Sequence, residues 1–161
     1  MNRLPPLLDA FDTRILAEVQ ADGRISIAEL SRRVHLSQPA VSERLKKLET
    51  GGVITGYRAT VNLAALGYGI RALVRAGRCE HGRMVHVLAQ LPEVVNAWNV
   101  TGEDSWVFEI AVADVAHLDA VVTRLCELAE TSTSIILKTL RQHQVMLPCA
   151  RPDTTPEENP A

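Results

Sequence analysis

The sequence predicts an α+β chain in two parts, a three-helix N-terminal unit followed by a β-α-β-β-α-β unit, on three observations. Up to residue 50, apolar residues recur at helical spacing between cap and stop residues. From residue 70, four β-rich runs alternate with two amphipathic stretches, and the glycine-bearing stretch 62–69 separates the two patterns. The expected limits are a first domain at 1–61, a linker at 62–69, a second domain at 70–147 and a disordered tail at 148–161. That tail has four prolines, several acids and almost no bulky apolar residue.

Residues 9–20 place Phe11, Ile15, Leu16 and Val19 on one helical stripe, with Asp9 as N-cap and Gly23 as stop. Ser26 and Glu29 have capping-box spacing ahead of a short second helix that buries Ile27, Leu30 and Val34. His35 and Leu36 make the turn and Ser37 caps the third helix. Pro39 falls in its first turn, where a missing N–H costs little. This third helix is expected from Gln38 to about Glu49, stopped by Gly51-Gly52. Val41, Leu45 and Leu48 form its core side; the opposite side carries Pro39, Glu43 and Lys46, flanked by Ser42 and Lys47, with Arg44 at the edge of the apolar stripe.

Two helices joined by a tight turn, the second polar and basic outside, make a helix-turn-helix. Such a helix fits the major groove of double-stranded DNA. The candidate contact set is Ser37, Gln38, Pro39, Ser42, Glu43, Arg44, Lys46 and Lys47, with Gln38, Ser42 and Glu43 suited to base edges and the lysines to phosphates. A plain three-helix bundle with a solvated face has the same spacing and stays open on this pattern alone. Residues 53–61 are β-forming around Gly56, which suggests a short strand or ribbon, the wing of a winged helix-turn-helix.

In the second part, strands are expected at 70–76, 94–100, 106–112 and 134–140. Helices are expected at 83–91, and at 115–128 with Val115, Leu118, Val121, Val122, Leu125 and Leu128 as the apolar set. This β-α-β-β-α-β order is ferredoxin-like: a four-stranded antiparallel sheet with both helices on one face. Leu73, Trp98 and Trp106 are candidates to line the open face, and burial against a second copy gives a homodimer.

Composition narrows the function class. Hydrophobic residues are 47% of the chain, yet no apolar run nears the roughly 18 residues of a membrane span. With no charged-then-apolar leader, neither a signal peptide nor an anchor is expected, and three scattered cysteines suit a reducing cytoplasm. Residues 24–58 carry seven bases against three acids, net +4, while residues 61–161 carry eight bases against twelve acids, net −4. That asymmetry fits a chain with one end on phosphates. No triad spacing or phosphate loop points to an enzyme, so no catalytic residues are assigned. Cys79, Glu80, His81 and His86 read as surface residues rather than a metal site, and Cys126 as packed beside Leu125.

The motifs together resemble a known family. Residues 8–16, 22–26, 36–44 and 48–57 are similar to the N-terminal signature of Lrp/AsnC (feast/famine) transcriptional regulators, and 100–104 and 131–137 to motifs of that family's regulatory domain. The resemblance covers residues 8–139 and implies DNA binding through the third helix, dimers that assemble further into octamers, and response to an amino acid or related metabolite. It places the effector at an interface between regulatory domains, beside the loop joining the second and third strands. The implied effector residues are Thr101, Gly102, Glu103, Asp104 and Ser105, with Thr133 and Ser134. Many members carry an aromatic-Asp pair after this turn, where this chain has Ser105; Glu103 or Asp104 is then the substitute for the lost carboxylate. No cofactor or metal is expected beyond that effector. The alternatives are an architectural DNA-wrapping protein with little ligand control and a metabolite binder with a vestigial helix-turn-helix. A twofold protein presents its recognition helices about one DNA turn (~34 Å) or a multiple apart, so a palindromic or repeated operator is expected.

Overall fold

The three N-terminal helices begin where their cap residues stand. The computed structural model describes residues 8–149. Two compact units are present, one from the residues up to Ala59 together with those from Arg141 on, the other Thr60–Leu140.

In the first unit α1 (Ala10–Ala21) is capped by Asp9, whose carboxylate accepts from the N–H groups of Phe11 and Asp12, both at 2.8 Å. Asp12 reciprocates by accepting from the Asp9 N–H at 3.2 Å, closing a capping box. The box expected at Ser26 is only half made. Ser26 accepts from the Glu29 N–H at 3.1 Å and starts α2 (Ile27–Val34), but the Glu29 carboxylate binds Arg32 and Arg33 instead of turning back. An ion pair with two guanidiniums on its own helix outcompetes one backbone N–H. His35, in the left-handed region at φ 57°, ends α2, and Ser37 with Pro39 starts α3 (Gln38–Thr50). Ile15, Leu16, Leu30, Val34, Val41, Leu45 and Leu48 form one buried core.

The strand expected at 53–61 is absent. The N–H groups of Val53 and Ile54 both donate to the Leu48 carbonyl, at 2.9 and 3.0 Å, and their side chains pack against the helical core. β-forming residues without a ladder partner close the helix instead. The far end of the chain joins this unit through Gln20, whose amide donates to the Met146 carbonyl at 2.8 Å and accepts from the Met146 N–H at 2.9 Å.

The second unit opens with a 3-10 turn, Ala64–Leu66, and continues through β1 (Ile70–Ala76), α4 (His81–Leu88), β2 (Val94–Asn99), β3 (Trp106–Val112), α5 (Val115–Cys126) and β4 (Thr131–Ile135). The strand order is β2-β3-β1-β4, all antiparallel, as the ferredoxin-like reading requires. Ala72, Val74, Ala76, Phe108, Ile110 and Val112 meet Met84 of α4 and Leu118, Val121 and Leu125 of α5 in one core.

Four expectations are corrected. β4 lies earlier than 134–140: its register against β1 runs from Thr131 opposite Ala76 to Ile135 opposite Ala72, and the bond from the Ile136 N–H to the Arg71 carbonyl lies one residue from the end of β1. The polar run Thr-Ser-Thr-Ser serves because this is an edge strand, while the more apolar run after it has no ladder. Trp106 faces the helices, nearly buried, on the same side as Phe108. α4 is shifted towards the N-terminus of its expected range. Cys126 is exposed rather than packed, with its sulfur 2.9 Å from Thr131 Oγ1. The tail expected at 148–161 lies, from residue 150 on, outside the described residues.

Candidate nucleic-acid interface and effector loop

α3 is fixed through its core side by Val41, Leu45 and Leu48, which leaves Gln38, Pro39, Ser42, Glu43, Lys46 and Lys47 exposed on the outside. Ser37 sits at the head of this face, its hydroxyl accepting from the Ala40 N–H at 3.4 Å. Lys47 pairs with Glu43 one turn earlier at 2.7 Å, and this hydrogen bond holds the Glu43 carboxyl below its ordinary pKa. Lys46 has no acidic partner among the described residues.

Arg44 behaves differently from the rest of the expected set. One guanidinium nitrogen lies 2.7 Å from both Asp9 Oδ2 and Asp12 Oδ1, and the group stands 5.5 Å from the Phe11 ring centre. It therefore ties α3 to the capped end of α1, and both carboxylates push its pKa up. The Asp9 carboxyl is lowered, first by the Asp12 N–H and then by Arg44. Arg44 is turned towards α1 and away from the outer face. The sequence signal for this was its place at the edge of the apolar stripe.

The loop between β2 and β3 is closed at its base: the Ser105 carbonyl accepts from the Val100 N–H at 2.9 Å and from Asn99 Nδ2 at 2.8 Å, while the Ser105 N–H donates to Ala76. Gly102, at φ 122°, takes a backbone conformation that a side chain disfavours. Thr101, Gly102 and Glu103 are exposed at the tip, and Asp104 and Ser105 are half-buried. Asp104 Oδ2 lies 3.9 Å from Arg75 Nε on β1. Thr133 and Ser134 point to opposite faces of β4, since Thr133 stands opposite inward-facing Val74 and Ser134 opposite outward-facing Leu73. Ser132, opposite Arg75, shares the outward face with Ser134 by strand alternation.

The uncovered sheet face carries Arg71, Leu73 and Arg75 of β1, Glu109 of β3 and Trp98 of β2, whose indole is 45% exposed. Glu109 binds Arg71 and accepts from Asn96 Nδ2 at 2.8 Å. Burial pushes the Glu109 carboxyl up, but the hydrogen bonds from Arg71 and Asn96 outweigh it and leave the pKa lowered. Among the described residues no three His, Cys, Asp or Glu groups gather to hold a metal. His81 packs against Trp106 with the rings tilted by 34° and their centroids 5.0 Å apart, and His86 hydrogen-bonds Gln90. No helix among the described residues is long and apolar enough to cross a membrane.

Residues 8–49, spanning α1, α2 and nearly all of α3, match the model of the AsnC-type helix-turn-helix domain, and residues 72–146 match that of the Lrp/AsnC ligand binding domain. The leucine-responsive regulatory protein of Rhizobium meliloti is 37% identical over 142 residues, 84% of this chain and 90% of that protein. This chain belongs to the Lrp/AsnC family. Its fold is that of solved Lrp/AsnC regulators. The feast or famine regulatory protein of Mycobacterium tuberculosis, complexed with L-methionine, superposes with a TM-score of 0.80 at 32% identity, covering 88% of this chain and 99% of the other. A Neisseria meningitidis transcriptional regulator in complex with L-Met gives 0.78 at 26% identity, covering 86% and 96%. The Lrp/AsnC relatives are named as transcriptional regulators, not enzymes, and this chain is a DNA-binding regulator of that type.

Proposed function

We propose that this chain is a cytoplasmic, sequence-specific transcriptional regulator whose hold on double-stranded DNA is set by an amino acid or related small metabolite bound at an interface between its sheet units. The observation that carries the DNA part is the outer face of α3. Its core side is filled by its own unit, and Gln38, Pro39, Ser42, Glu43, Lys46 and Lys47 are left exposed as groups that read base edges and neutralise phosphates. Ser37 heads that face; Arg44 supports it from behind through Asp9 and Asp12.

The effector part rests on the Thr101–Ser105 loop, with Gly102, Glu103 and Asp104, and on Ser134 of β4; Thr133 faces the other side of its strand. Two structural neighbours complexed with L-methionine support the amino-acid class. The half-exposed Trp98 and the Arg71–Glu109 pair on a helix-free sheet face support a homodimer, which assembles further to an octamer.

The test is a thermal-shift and DNA-binding screen against the common amino acids, with oligomer size measured in parallel. A ligand that prefers the folded state raises its melting temperature, and the expected effector also changes DNA affinity or assembly. Ser105, where the family resemblance implies an acid in many members, together with Arg75 beside Asp104, favours a second reading in which the protein is chiefly architectural. No response to any metabolite, with DNA binding intact, would decide for that reading.

A further inference from the structure

Counting the charge partners in the helical unit singles out two arginines that lie outside the helix-turn-helix contact set. Of its described cations, Arg32 and Arg33 engage Glu29, Arg33 also engages Glu18, Arg44 engages Asp9 and Asp12, Lys47 engages Glu43, and Arg141 bonds Gln144. Arg14 bonds the Ala10 carbonyl and covers the Phe11 ring at 4.7 Å. Arg24, Lys46 and Arg58 have no side-chain partner among the described residues, and all three are exposed. Lys46 is accounted for on the outer face of α3.

Arg24 and Arg58 are far apart in sequence, and Tyr57 brings them together. The Tyr57 hydroxyl donates to Glu49 Oε1 at 2.9 Å, and its Cδ1 lies 3.8 Å from where a Cβ on Gly23 would sit. Each arginine is thus the immediate neighbour of one partner in the Gly23–Tyr57 contact. The acids nearby bind other groups than the two guanidiniums: Asp22 accepts from the Arg24 backbone N–H at 2.9 Å, and Glu49 from the Tyr57 hydroxyl. Around α3, Glu49 lies about 60° from Lys46, on the flank that carries Ser42 and Gln38. The segments that carry the two arginines therefore meet beside the last turn of α3, on its Gln38–Ser42 flank.

We propose that Arg24 and Arg58 form a phosphate-binding clamp on the DNA backbone, flanking the groove that α3 enters, with Tyr57 as the residue that positions them. Two unpaired guanidiniums on segments fastened to each other through Tyr57 match a phosphodiester, which takes bidentate contacts without regard to base sequence. The clamp rests on the DNA-binding assignment and adds affinity rather than specificity.

The test uses the full-length protein, a duplex it selects from a random library and an unselected duplex of equal length, with the dissociation constant measured against salt. Each phosphate contact contributes about 0.9 to the slope of log affinity on log salt, so the double variant Arg24→Gln, Arg58→Gln loses about 1.8. Over a fourfold rise in salt its affinity then falls about 12-fold less than that of the parent. The ratio of selected to unselected binding stays the same, and Arg24→Lys, Arg58→Lys restores the slope. Should the double variant not fold by circular dichroism, each single Gln variant reads out a loss of about 0.9. An unchanged slope overturns the clamp, as does a lost preference for the selected duplex, or lysines that behave like glutamines. A parent that binds neither duplex at low salt defeats the DNA-binding assignment itself, a distinguishable result.

Discussion

The two units solve the burial problem differently. The helical unit closes its core within one chain, and its proposed DNA-reading face is the side of α3 that the core does not use. The sheet unit covers one face with α4 and α5 and leaves the other with Trp98, Leu73 and a half-buried Arg71–Glu109 pair. A surface that reads DNA is finished when its own helix is finished. The open sheet face, which we propose pairs two copies, is not finished within one chain, and an ion pair on it stabilises best once it is covered and fully hydrogen-bonded.

The largest effect that separates the units is core truncation. Phe108 is fully buried, so Phe108→Ala is expected to destabilise the sheet unit by about 3–5 kcal/mol, and Leu30→Ala the helical unit by about 2–5 kcal/mol. If the two units are independent, calorimetry shows one transition moving in each variant. A single transition shifted by both would erase the distinction. Next comes the contrast between two cations of α3. Lys46→Gln is expected to lower the salt slope of DNA binding by about 0.9. Arg44→Gln leaves that slope unchanged and lowers the melting temperature, because its partners are Asp9 and Asp12. Equal slope losses would put Arg44 back on the outer face.

That pair of residues also shows where the sequence stops being legible. Caps and stripes are local, so Asp9, Ser26 and Ser37 marked their helices, and β1 and β3 matched their expected bounds. What depended on distant partners did not show. The acids that take Arg44 lie 35 and 32 residues away, and the clasp of Gln20 on Met146 spans 126. For β4, apolarity pointed to 134–140, while pairing with β1 decided for a serine- and threonine-rich edge. Residues 53–61 have strand composition but no ladder. In the loop between β2 and β3 the sequence marked the turn but not Arg75, which meets Asp104 only through the fold.

Acid should weaken the sheet unit through Glu109. Its carboxyl titrates below the ordinary 4.5, so the stability it contributes is present above that value and is lost as the pH falls through its folded pKa. Glu109→Gln is expected to flatten the fall of melting temperature below about pH 4.5. Curves for parent and variant that run parallel through this window would mean that Arg71 and Asn96 do not bias the carboxyl in solution.

The smallest effect lies in the helical unit and has the opposite sign in pH. Burial pushes the Tyr57 hydroxyl up from 10.0 to about 12, with its hydrogen bond to Glu49 adding to the shift. A raised pKa contributes stability that is complete below 10 and is lost as the pH climbs towards 12. Because the ring is 52% exposed, Tyr57→Phe is expected to cost only about 0.5 kcal/mol, the low end for a hydrogen bond. Phenolate absorbance gives the sharper reading: the variant should lose the component that titrates near 12. If the lost component instead titrates near 10, the Glu49 contact is not populated. The turn after α3 is then unfastened, and Arg24 and Arg58 have nothing to hold them together.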